Sequence, residues 1–153
     1  MTLDRACPSR FQPETEIFVD TERCVRLSIC EQVDVAMARK AVRQLAPQGG
    51  LSDSAAHALT TAVSEIAQNI LNHARAGEVI VRVIDEHGRH GLIVIGRDAG
   101  PGIRDADRAI RDGYSTGEGL GLGLPSARRL VDDFELVSDS GRGTTVTLKK
   151  WAS

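Results

Sequence analysis

The chain has 153 residues, 41% of them hydrophobic and 26% charged, which is enough for one globular core and too short for two ordinary domains. A formal net charge of −2, only 3% aromatics and no Lys/Arg block exclude a phosphate-tracking basic face and a base-stacking platform, so nucleic acid is not an expected partner. No apolar run approaches the roughly 20 residues of a membrane span, and the first residues lack the apolar centre of a signal peptide; a cytoplasmic protein without membrane contact is expected.

Residues 1–15 mix Pro8, Pro13, Arg and Ser without periodicity and read as a flexible tail ahead of a single domain at 16–153. Cys7, Cys24 and Cys30 are odd in number and form no CxxC, a pattern that points to reduced thiols rather than a disulfide framework or a zinc site. Short alternating runs at 16–28 suggest strand. Residues 33–45 show apolar positions at helical spacing, closed by Pro47 and Gly49-Gly50.

Ser52 or Asp53 can cap a long helix at 54–74. At about 100° per residue, Leu59, Val63, Ile66, Ala67, Ile70 and Ala74 share one stripe, while Glu65, Asn69 and Asn72 cluster on the opposite side. A carboxylate and two carboxamides therefore face one space. Taken alone, that polar side reads as an ordinary solvated helix face, and only the segments downstream give it another meaning.

Residues 78–84 and 92–97 read as two β-branched strands around a polar turn at 85–91, whose His87 and His90 suit a solvated hairpin better than a metal site. The second strand runs into Asp98, Ala99, Gly100, Pro101 and Gly102. A short helix at 104–112, a polar loop at 114–119 and a helix at 124–132 entered through Pro125 follow. Strands at 134–138 and 144–150 close the domain around the Ser140 to Gly143 turn. This order describes an α+β two-layer sandwich, with helices on one face of a mixed, mostly antiparallel sheet.

Several of these segments have the chemistry of a nucleotide site. At a strand end, Asp98 can accept a hydrogen bond from an exocyclic amine, and Gly100 and Gly102 allow a ligand to approach the backbone closely. Gly119, Leu120, Gly121, Leu122, Gly123 and Leu124 expose backbone N–H groups to phosphate oxygens just ahead of a helix N-terminus. No GxxxxGK[ST] is present, and the glycine run lacks the GxGxxG spacing of a dinucleotide fold.

The ordered set resembles the ATP-binding boxes of the GHKL superfamily, whose Bergerat-type fold is shared by gyrase, histidine kinases and MutL. The segment from Glu65 to Asn69 resembles the N box, Asp98 to Gly102 the G1 box, and Gly119 to Leu124 the G2 box. The resemblance implies that Asn69 binds magnesium, Glu65 is the general base, and Asp98 reads adenine. Thr144, after Gly143, would support that last contact through its hydroxyl. ATP and Mg2+ are the implied cofactors.

Asp112 to Thr116, Leu122 to Pro125, Arg128 to Leu130, Asp133 to Glu135 and the terminal Lys149, Lys150 and Trp151 narrow the resemblance to the RsbT-type switch serine/threonine kinases. These imply a STAS-domain protein substrate and a PP2C-type phosphatase that the released kinase activates. Two departures bear on mechanism. Asn72 stands where histidine kinases usually carry a basic residue, so it offers a neutral donor, and only 16 residues separate Gly102 from Gly119, which makes the lid over ATP short. An ATP-binding anti-sigma or adaptor module that works by sequestering a partner is the rival from another class; a detached sensor-kinase domain is disfavoured by Asn72 and the short lid.

Overall fold

The computed structural model describes residues 23–100, 124–139 and 143–152. The expected tail at 1–15, the strand reading at 16–22, the helix at 104–112 and the loop at 114–119 lie outside them. The described elements are β1 (Cys24–Ile29), α1 (Gln32–Leu45), α2 (Asp53–His73), β2 (Gly77–Glu86), β3 (Arg89–Asp98), α3 (Leu124–Leu130), β4 (Asp133–Asp139) and β5 (Gly143–Trp151).

The strands form one open sheet in the order β1-β2-β3-β5-β4, and every described pairing is antiparallel. Side chains alternate between its faces. Val79, Val81, Leu92, Val94, Val146 and Leu148 point to the helices and share a core with Leu59, Val63, Ile66 and Ile70 of α2 and with Val35, Val42 and Leu45 of α1. Each such side chain contributes about 1.5–3 kcal/mol of burial, which makes this face the main source of stability. The α+β two-layer reading holds. The opposite face carries a smaller cluster of Ile84, Ile93 and Trp151, and the carboxylate of Glu78, 3% exposed, bonded at 2.6 Å to Arg97 Nε.

Helix boundaries follow the expected signals closely. Ser52 is the N-cap of α2, its hydroxyl accepting from Ala55 N–H at 3.0 Å. At α1 the cap signal was not anticipated: buried Asp34 accepts the backbone N–H groups of both Cys30 and Glu31 at 2.9 Å and ties the end of β1 to the helix start. The strands run further than expected. β2 and β3 stay paired to Glu86 and Arg89, so the polar turn shrinks from 85–91 to His87 and Gly88, both at positive φ as a two-residue hairpin requires. Cys24 is a free thiol, whereas Cys30 is disulfide-bonded, contrary to the expectation of three reduced thiols.

No helix among the described residues is long and apolar enough to cross a membrane.

Candidate functional site

The fold turns the apolar stripe of α2 onto the sheet, which leaves its other side for the site. Leu59, Val63, Ile66, Ala67 and Ile70 are buried, while Glu65 and Asn69, one turn apart, are half-buried on the far side of the helix. Among the described residues, neither Glu65 nor Asn69 bonds to another side chain. Both side chains thus lie on one face of α2 with oxygen acceptors that no described side chain engages, the donor type that a hard cation and its water ligands take.

Asn72 differs. It is exposed, and its carbonyl accepts from Gln68 Nε2 at 3.2 Å. Gln68 in turn pairs with Gln32 of α1 at 2.7 Å. This chain of amides orients Asn72 so that its NH2 group remains available as a donor.

Asp98 ends β3 on the helix-facing side of the sheet, just beyond the last turn of α2. Its Oδ1 accepts Gly100 N–H at 2.8 Å, closing a tight turn. Thr144 stands opposite it in the β3–β5 ladder, and the Thr144 backbone N–H also bonds to the carboxylate. Burial pushes the Asp98 pKa up; the Gly100 and Thr144 amides and nearby His73 pull it down less. The carboxylate is thus held ready, at a cost in solvation, for a ligand donor.

Two glycines make this corner possible. A Cβ at Gly100 would stand 2.6 Å from the Ala74 Cβ, where α2 ends against the turn. Gly143 has φ of 118°, and a side chain there would run into the Asp98 carbonyl oxygen. Across the next pair, Ser138 of β4 lies opposite Thr144, with their hydroxyl oxygens 3.0 Å apart. Ser138 also donates to the Gly143 carbonyl at 3.2 Å. Local sequence carries no signal for Ser138, because only the strand register brings it here.

Leu124 begins α3, which packs against α2, and its side chain is 1% exposed in the core. Only its backbone can line a ligand site, since the side chain is taken up by the core. Gly102, Gly119, Leu120, Gly121, Leu122 and Gly123, expected to hold phosphate, lie outside the described residues. The structure thus brings Glu65 and Asn69 together on α2, and Asp98, Gly100 and Thr144 together at the adjoining sheet end.

A two-layer α+β fold with a carboxylate and a carboxamide on its long helix, and a half-buried aspartate at the strand end beside it, accords with an ATPase-type domain. Residues 30–150 match the family described as histidine kinase-like ATPase domain, and the chain belongs to that family. It is 38% identical to serine/threonine-protein kinase RsbT of Bacillus subtilis (strain 168) over 133 residues, covering 87% of this chain and 98% of that protein. Anti-sigma F factors are more distant: that of Caldanaerobacter subterraneus subsp. tengcongensis is 30% identical over 99 residues, 61% of this chain and 68% of that one. That of Bacillus cytotoxicus is 31% identical over 102 residues, covering 62% and 68%.

Proposed function

We propose that this protein is an ATP- and magnesium-dependent serine/threonine kinase of a partner-switching pathway, which phosphorylates a STAS-domain regulator and, once released, activates a PP2C-type phosphatase. The single observation that carries the reading is the pairing of Glu65 and Asn69, one turn apart and without other partners among the described residues, beside the Asp98 corner. The near end-to-end similarity to RsbT supports the kinase branch, since the anti-sigma F factors are matched over a shorter stretch.

In this reading Asp98 accepts the adenine amine, and Thr144 supports the same edge of the base. Asn69 holds the cation through its carbonyl oxygen, and Asn72 donates its NH2 group to a phosphate. The glycine run at 119–123 cradles the β- and γ-phosphates with backbone N–H groups. Magnesium, when bound, neutralises charge developing on the phosphates. Glu65 takes the proton from the attacking serine or threonine hydroxyl as it approaches the γ-phosphorus in line. Nothing in this scheme requires a lysine at the triphosphate.

Release follows from charge. A phosphoserine carries about −1.5 to −2 charges and would sit beside Glu65, so the product complex is weakened where the substrate complex was not. The rival is an ATP-loaded module that sequesters a sigma factor; the anti-sigma F similarity supports it, and an intact Glu65 argues for chemistry instead. Incubation with γ-labelled ATP, magnesium and the STAS and sigma proteins of the same genome separates the two. Acid-stable label on a STAS protein, followed by loss of co-elution, supports the kinase. ATP-dependent sigma binding with no labelled protein favours sequestration.

A further inference from the structure

We infer that Gly96 is a positioning residue for the proposed kinase: by presenting no side chain, it lets Ile66 seat α2 on β3 and so fixes how Glu65 and Asn69 stand relative to Asp98. The inference rests on the ATP site proposed above and adds to it two residues that touch no ligand.

The halves of that site ride on separate elements, and they are keyed together at this contact. Gly96 lies two residues before Asp98 on the same, helix-facing side of β3, about 7 Å along the strand. Ile66 follows Glu65 directly and precedes Asn69 by three residues, about 4.5 Å along the helix axis. A Cβ at Gly96 would run into the Ile66 Cγ2, and the next nearest atoms, Ile66 Cβ and Ile70 Cδ1, stand at 3.8 Å. Only α2 contests that space. Gly77 is different: a Cβ there would also run into the Arg97 carbonyl oxygen, so a side chain would disturb the β2–β3 ladder itself.

Ordinary contact between carbon atoms is about 3.5–4.0 Å, so a methyl group at position 96 demands a shift on the order of 1 Å. β3 cannot supply it, because β2 and β5 hold the strand by hydrogen bonds on both edges. Ile66 cannot turn aside either, being β-branched, restricted at χ1 in a helix and only 2% exposed. The helix must lift. Glu65 and Asn69 would move with it while Asp98 stays, and an ATP whose base is read at one element and whose phosphates are held at the other no longer fits both ends. Misplacement by about 1 Å can cost on the order of a hundredfold in rate.

The test measures ATP affinity and single-turnover transfer to the STAS partner, per folded molecule, in the parental protein, in Gly96→Ala and in the double variant Gly96→Ala/Ile66→Ala. Gly96→Ala should bind ATP several-fold more weakly and transfer phosphate about tenfold to a hundredfold more slowly. In the double variant the obstructing methyl is gone, so affinity and rate should return to within a few-fold of parental, although the lost isoleucine keeps the melting temperature below the parental value. Recovery of binding and chemistry without recovery of stability is a result that a merely structural glycine would not give. Parental affinity and rate in Gly96→Ala, or losses that deepen in the double variant, overturn the inference. If Gly96→Ala does not fold, the double variant decides alone: near-parental ATP binding supports the seat, and folded protein with weakened binding rejects it. A parental protein that binds ATP but never labels the STAS partner defeats the kinase reading instead, while the ATP affinities of the same variants still decide the role of Gly96.

Discussion

Asp98 and Thr144 face each other across the β3–β5 ladder, and the Thr144 backbone N–H bonds to the Asp98 carboxylate that burial has made reluctant to ionise. Each consequence of the proposed ATP site can be traced to such a relationship. Because the folded-state pKa of Asp98 is raised above its unfolded value, its contribution to stability is full at low pH and is lost as pH rises through that raised value. An adenine amine needs the ionised form. ATP affinity should therefore fall as pH drops through the folded-state pKa, with proton release on binding at and below it; calorimetry in buffers of different ionisation enthalpy between about pH 4 and 8 reads both. Asp98→Asn should weaken ATP binding more than tenfold and remove this pH dependence. A parental pH profile in that variant assigns the titration to another group.

Asn69 and Asn72 should separate under substitution. Asn69→Ala removes the oxygen expected to hold magnesium, so the magnesium-dependent part of ATP affinity should vanish, while binding in the presence of a chelator changes little. Asn72→Ala removes one neutral donor, whose carbonyl is already engaged by Gln68, and should cost only a few-fold at any magnesium level. Titrating nucleotide with and without the cation measures both. Equal losses in the two variants would reassign the cation site.

The stability of the helical layer depends on Asp34, which lies far from that chemistry. This buried carboxylate accepts two backbone N–H groups where β1 meets α1, and Asp34→Ala leaves both without their acceptor. A loss of about 1–3 kcal/mol in denaturant unfolding is expected, with ATP affinity per folded molecule unchanged. A stability change below a few tenths would mean that solvent satisfies those amides.

How much of this was legible depends on range. Ser52 announces α2 because a cap works within three residues, and the stripe from Leu59 to Ile70 announces its buried side because helical periodicity is local. Asp98 and Gly100 were readable for the same reason: the turn they form closes within two residues. The hairpin at His87 and Gly88 was placed correctly but drawn too wide, since polar residues such as Asp85 and His90 look like loop although they pair across the strands. Ser138 and the Glu78–Arg97 ion pair were invisible. Each depends on strand register between segments distant in sequence, which no local pattern encodes. Asp34 was missed because its carboxylate caps from inside the first turn of the helix.

Phosphoryl transfer by Glu65 is the centre of the account, and one measurement tests it most directly: single-turnover transfer from ATP to the STAS partner by the parental protein and by Glu65→Gln, with nucleotide and partner affinities measured in parallel. The carboxamide keeps the size of the side chain and removes its basicity. The account predicts that both affinities stay within a few-fold while the rate of acid-stable serine or threonine phosphorylation falls by roughly two to four orders of magnitude, the range expected for loss of a general base. Transfer by Glu65→Gln at the parental rate, or parental protein that binds ATP and partner yet never phosphorylates it, would contradict that claim.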